Sequence, residues 1–270
     1  MKLWRSSLLI FLAACQAPPE ENTHTLYPDS GGPSVADMRA ALRERPQDAE
    51  IRMQLANALI ENGQYAAADS QAIYFAKDSG TLDKAFYIKA LIALNGDDTT
   101  ATIAHLSRAI EQAGNRSEYE AVMLNAELLM ARRQAREAAA YFLLAQKLDS
   151  ASAEARYGLG LAQEKLMDHR SAAVSYQLAV ELDPAYSPAY LALGRLAELE
   201  KDLREAWRYY NLAAKADPTD AEAFFLRGKT FLQLGNKPAG IDDLTKALSF
   251  RKDHPAAKAL LDSVKTSNFQ

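Results

Sequence analysis

The chain is predicted to be all-α: an elongated solenoid of about six helix–turn–helix units closed by a C-terminal capping helix. Three observations predict it. An alanine returns every 34 residues, at Ala145, Ala179, Ala213 and Ala247, with Ala109 two residues out of step; a fixed period of that length marks stacked supersecondary units, each of two helices and their turns. Aromatic and small residues recur in one register from unit to unit, and a proline closes the fourth and fifth units. Helix-capping residues fall where that register requires helix starts. With 270 residues, 49% of them hydrophobic, the chain can bury a sizeable core. A net charge of −4 is far from the Lys/Arg-rich face of a nucleic-acid binder.

The first elements precede the array. Lys2 and Arg5 give a positive start, Leu8 to Ala14 form a short apolar run, and Leu12-Ala13-Ala14-Cys15 follows. Seven apolar residues are too few to span a bilayer, so residues 1–14 read as an export signal. Leu-Ala-Ala-Cys resembles the bacterial lipobox, which implies lipidation of Cys15 as the mature first residue. Cys15 is also the only cysteine, so no intrachain disulfide can form. In the resembling Gram-negative class an aspartate after the cysteine favours the inner membrane. Gln16 stands there instead, which implies an outer-membrane anchor facing the periplasm. Residues 15–33 then carry four prolines and two glycines with little apolar periodicity, the composition of a flexible tether about 25 Å in r.m.s. span.

Residues 34–48 hold a partial helix with Met38, Ala41 and Leu42 on one face, and a connection. Residues 49–254 hold the six units. The fourth shows Leu159-Gly160, Ala172, Tyr176, Ala179 and Pro184. The fifth shows Tyr190, Leu193-Gly194, Ala206, Tyr210, Ala213 and Pro218; the sixth shows Phe224, Gly228, Phe231, Gly240, Leu244 and Ala247. Small residues let two helices approach closely, aromatics fill the angle between them, and proline stops the second helix. The third unit keeps Ala138, Phe142 and Ala145 but has Asn125-Ala126 where Leu-Gly would stand. The second keeps Phe86, Ala90, Leu106 and Ala109 and carries a loop two residues longer near Gly114. The first keeps Leu55-Ala56 and Ala68, with Phe75 in a slot that is alanine elsewhere. Asp48, Ser152 and Asp220 are placed to cap helices, Ser187-Pro188 suits a helix start, and Gly63 and Gly235 suit turns within their units. Residues 255–270 read as a capping helix and tail with Ala257, Leu260, Leu261 and Val264 on its apolar face, because an open-ended array needs a polar lid.

These residues resemble the tetratricopeptide repeat, with its aromatic at place 4, Leu-Gly at 7 and 8, Ala at 20, an aromatic at 24, Ala at 27 and Pro at 32. The resemblance covers the repeats and implies a right-handed α-solenoid that binds other proteins. Its first helices line the concave side, with places 2, 5, 9 and 12 projecting inward. Place 5 holds Met53, Tyr87, Met123, Tyr157, Leu191 and Phe225, all apolar or aromatic. Place 9 includes Asn57, Leu161, Arg195 and Lys229, making the C-terminal end more basic. The expectation is a groove for an extended or helical partner segment, against the alternative that these side chains serve as core. Some members clamp a partner's C-terminal carboxylate with lysine at place 5; no lysine stands there in this chain. Ser175 is expected on the outer helix, away from the groove.

Signatures of catalysis are missing from the sequence. His24, His105, His169 and His254 form no HExxH pair and read as surface residues, and no Walker loop or GxSxG appears. Gly158-Leu159-Gly160 sits inside a helix, so it is no dinucleotide loop. Asp242-Asp243 reads as solvated charges or turn residues. The chain is therefore expected to be no enzyme and to need no cofactor or metal. The function expected is a lipid-anchored scaffold or adaptor in the bacterial envelope, binding a protein or peptide segment of another envelope protein. A homo-oligomeric scaffold and a chaperone-like binder of exported chains are the alternatives.

Overall fold

The computed structural model describes residues 33–266; the expected signal segment, Cys15 and the tether lie outside the described residues. Fourteen α-helices run through them. The first is α1 (Val35–Glu44), which precedes the pairs α2 (Ala49–Glu61) with α3 (Tyr65–Phe75) and α4 (Leu82–Asn95) with α5 (Thr99–Ala113). Next come α6 (Tyr119–Ala131) with α7 (Ala135–Leu148) and α8 (Ala153–Lys165) with α9 (His169–Leu182). Then follow α10 (Ser187–Leu199) with α11 (Leu203–Ala216), α12 (Ala221–Gln233) with α13 (Lys237–Phe250), and α14 (Pro255–Thr266). Each helix packs on the next in sequence. The first helices of neighbouring pairs also meet, α2 with α4 and α6 with α8. That closer approach puts the first helices on the inside of the curve.

All six pairs make the same internal turn. The residue after the first helix's cap takes a left-handed conformation: Gly63, Asp97, Arg133, Met167, Lys201 and Gly235, with φ of 69° and 83° at the two glycines and 57°, 61°, 63° and 64° at the other four. The next amide then reaches back over the last helical turn. Gln64 N–H donates to Leu59 O at 2.7 Å, and Asp98, Gln134, Asp168, Asp202 and Asn236 repeat the bond to Ala93, Leu129, Gln163, Ala197 and Phe231. This satisfies carbonyls that the helix end leaves open. Four of those residues, Asp98, Asp168, Asp202 and Asn236, also cap the second helix with their side chains. The expected caps Asp48, Ser152 and Asp220 accept from Ile51, Ala155 and Glu222 amides.

The connections between pairs repeat as well. Ser152, Tyr186, Asp220 and His254 amides donate to the carbonyls of Asp149, Asp183, Asp217 and Arg251. Asp48 makes the same bond to Arg45 at 3.1 Å. Thus α1 enters α2 as any second helix enters the next first helix, and it occupies the place of half a pair.

Within the pairs, glycine lets rings cross the helix interface. A Cβ on Gly160 would overlap the Tyr176 ring, and one on Gly194 the Tyr210 ring. The third pair has Ala126 at this place, and its ring, Phe142, lies instead over Gly158 of the following pair. The first pair exchanges sizes along one helix: Ala72 stands where a ring stands elsewhere, and Phe75, in the alanine slot, is buried beside it.

Three sequence readings are corrected. Ser175 is buried, only 5% exposed, and its Oγ donates to Gln163 Oε1 at 2.7 Å; the outward residue of that turn is Val174, 57% exposed. Asp243 is no solvated charge, because Arg227 grips it with Nε–Oδ2 at 2.7 Å and Nη2–Oδ1 at 2.8 Å in the last pair. His254 is buried, and its Nδ1 accepts from Ala257 N–H at the start of α14, 3.3 Å away.

Candidate functional site

The inner face is built by α2, α4, α6, α8, α10 and α12, and the repeat brings equivalent places on these helices into rows. The place-5 row divides. Met123 and Leu191 are buried in the solenoid's own core, so in this conformation they offer no contact surface. Met53, Tyr87, Tyr157 and Phe225 are half-buried against neighbouring clusters with one side left open. Aromatic side chains suit such a role, since their rings pack while their polar edges stay wet. Phe225 also packs on the His254 ring, with centroids 4.7 Å apart.

Tyr157 is the centre of an aromatic cluster. Its ring lies 5.6 Å from Tyr176 and 5.4 Å, edge-on, from Tyr186. Burial pushes the Tyr157 phenol up, and the Arg195 guanidinium works against that shift. Burial likewise pushes Tyr186 up, helped by Glu154 and Tyr157. Towards the N-terminal side, Tyr87 is pushed up to about 12 by burial and then by Glu118 and Glu120. Two helices away, the Tyr119 hydroxyl and Ser152 Oγ share a hydrogen bond of 2.6 Å.

Among the place-9 residues, Asn57 is exposed, while Leu161, Arg195 and Lys229 are half-buried. Lys229 is paired with Glu198 at 3.1 Å. Arg195, Glu198 and Lys229 line an open pocket of about 520 Å³ together with Glu164, Leu199 and Gln233. Mixed charges with apolar walls give this end of the groove both polar and apolar surface. The structure therefore brings Tyr157, Leu161 and Arg195 together near Lys229, and leaves Met53 and Asn57 at the far end.

Glu164, Glu198 and Tyr186 belong to this face without being among the contacts expected from the sequence. Glu164 and Glu198 are the same place, 12, of consecutive repeats, so the period itself pointed to them. Tyr186 lies in a connection between pairs, where helix periodicity gives no signal. Among the described residues, no group of three His, Cys, Asp or Glu side chains could hold a metal ion, and no helix is long and apolar enough to cross a membrane.

Comparison with known proteins places this geometry. Tetratricopeptide repeat profiles match residues 34–80, 153–186 and 187–220. The first match starts at α1, in agreement with its place as half a pair. No curated protein sequence matches the chain. Among solved structures, PilW, a type IV pilus biogenesis factor, superposes with a TM-score of 0.60 at 19% identity over 80% of this chain and 99% of PilW. PilF of Pseudomonas aeruginosa gives 0.60 at 13% identity, covering 85% of this chain and 99% of its own. MamA of Desulfovibrio magneticus RS-1 gives 0.55 at 17% identity, over 66% and 98% respectively. At such identities the likeness is one of fold. Profile matches over the first unit and over the fourth and fifth agree with solved neighbours of the same fold that span most of the chain: the chain carries tetratricopeptide repeats.

Proposed function

We propose that this protein is a lipid-anchored envelope adaptor that holds a segment of a partner protein along its inner helices. The observation that carries the reading is the half-open aromatic cluster of Tyr157 and Tyr186, which runs on through Arg195 into the charged pocket beside Lys229. Half-buried rings give large contact area with little entropy to lose, and flanking charges set the direction of a bound chain. Leu12-Ala13-Ala14-Cys15 supports attachment through lipid at Cys15, and the following tether would confine the groove near the membrane. Confinement raises effective concentration without tight intrinsic affinity. PilW's role in pilus biogenesis makes an envelope assembly machine the place to seek the partner.

The test is site-specific photo-crosslinking in the native cell, with the reactive residue at position 157 and at the outward position 174. The expected result is one dominant partner from 157 and none from 174. Self-adducts alone would transfer the function to a homo-oligomeric scaffold. A ladder of unrelated exported chains would make it a chaperone-like binder, and equal labelling from both positions would sink the groove.

A further inference from the structure

The edge where each first helix turns into its second carries features that the groove does not use. In the third, fourth and fifth pairs the left-handed turn position is held by Arg133, Met167 and Lys201. Glycine accepts that conformation without strain and a residue with a Cβ does not. A long side chain is thus kept, at a cost in strain, at the outermost point of three successive turns. Observed strain of this kind motivates a search for function. Met167 is 74% exposed, and Leu166 and Leu234 are exposed on the same edge.

Charge follows the same edge. The third turn carries Arg132, Arg133 and Arg136, the fourth Lys165 and Arg170, and the fifth Lys201 and Arg204. Against these stand Glu137, Asp168, Glu200, Asp202 and Glu205; both aspartates turn their carboxylates onto the helix that follows, and Glu205 pairs with Arg208. Seven cations to five anions, one of the anions already paired, make a positive ridge on a chain whose net charge is −4. Among the described residues, none of Arg133, Arg136, Lys165, Arg170, Lys201 and Arg204 sits in an ion pair. The first two turns differ: they carry Glu61, Asp97 and Asp98 and no cation. Finally, α1 occupies the place of a second helix, so its N-terminal end lies on this edge, and the chain from residue 33 enters there.

We propose that this edge rests on the surface of a bilayer containing anionic phospholipid. Single apolar tips standing among long cationic side chains match an interface where tips enter between headgroups and cations meet phosphates. A row of projecting knobs fits that soft surface better than a folded acidic protein, which would need pockets to receive them. The chain's entry on the same edge leaves the groove free to face a partner. This edge is separate from the groove, so it can fail while crosslinking at 157 succeeds, and the reverse.

Because Cys15 is the only cysteine, Cys15→Ala frees the full chain of thiols, and Met167→Cys or Val174→Cys then carries one environment-sensitive fluorophore. Vesicles of phosphatidylcholine, with and without phosphatidylglycerol, are the probe. A blue shift at 167 with phosphatidylglycerol, and none at 174, is expected. Arg133→Glu with Lys201→Glu should weaken the response at least about tenfold, with helical circular dichroism unchanged because both sites are exposed. Equal responses at 167 and 174, or no response at 167, would overturn the proposal. A response at 167 to soluble polyglutamate, and not to vesicles, would overturn it in favour of an acidic protein partner.

Discussion

The fifth and sixth pairs both pack their two helices closely at a glycine, by different chemistry. In the fifth, Gly194 leaves room for the buried Tyr210 ring, and Leu193 beside it is buried in an apolar core. In the sixth, Gly228 faces the carbonyl of Gly240 and the amide of Leu244, at 3.1 and 3.2 Å from where a Cβ would stand. Arg227 takes the leucine's place and binds Asp243 twice and Asn211 Oδ1 at 2.8 Å. One pair fills its gap with a ring; the other closes it backbone to backbone and adds a buried ion pair. The repeat therefore preserves an interhelical spacing, and residue identity follows from how that spacing is met.

The sharpest break of this comparison removes the ion pair. Asp243→Ala leaves the Arg227 guanidinium, 15% exposed, without its carboxylate; stability should fall by about 3 kcal/mol, read from urea or thermal unfolding. Leucine at 227 together with Asp243→Ala, imitating the fifth pair, should recover most of it. An unchanged melt in the single variant would show the pair to be idle. Next in size, Gly194→Ala forces a methyl into the Tyr210 ring and should cost about 1–3 kcal/mol. Trp207, on the same second helix and packed on Phe231 at 5.7 Å, reports that loss by fluorescence. If the variant melts with wild type, the ring tolerates the overlap and the spacing rule is wrong.

The smallest effect separates pairs built on phenols from the sixth, where Leu244 stands in the ring's place. Burial raises Tyr157, Tyr176, Tyr186 and Tyr210, as it raises Tyr87 to about 12. The folded state holds these protons more tightly than the unfolded chain, whose phenols ionise near pH 10. Stability should therefore be level below about pH 9 and decline as pH rises through 10 towards 12, by about 1 kcal/mol for Tyr87 at pH 11. Urea midpoints against pH measure it. A midpoint that holds or climbs above pH 10 contradicts the assignment, and Tyr87→Phe should remove its share.

Much of the fold was legible because a 34-residue period repeats local rules: caps, turn residues and stop signals all act within a few positions. Where packing couples distant places, reading by place was less secure. Phe75 looked like a departure, yet Ala72 compensates for it one helical turn earlier. Ser175 was expected on the outer helix, but the helix alone does not fix a residue's face: a single residue turns it by about 100°, and Val174 faces water while Ser175 is buried. The place-5 row was recognisable as apolar, while its division into buried Met123 and Leu191 and half-open Tyr87 and Tyr157 was not.

By itself the sequence determined the all-α repeat, the register of its pairs, the caps and the close-packed glycines, because each follows from short-range sterics and hydrogen bonding repeated at a fixed interval. Tertiary structure alone decided which inner rings remain open, that Asp243 and His254 go inside, and that Glu164 and Glu198 join Arg195 and Lys229 at one pocket. It also gathered the turns bearing Arg133, Met167 and Lys201 onto one edge. Those outcomes depend on how successive pairs stack, and stacking brings together side chains 30 or more residues apart, such as Glu198 and Lys229, that no local rule relates.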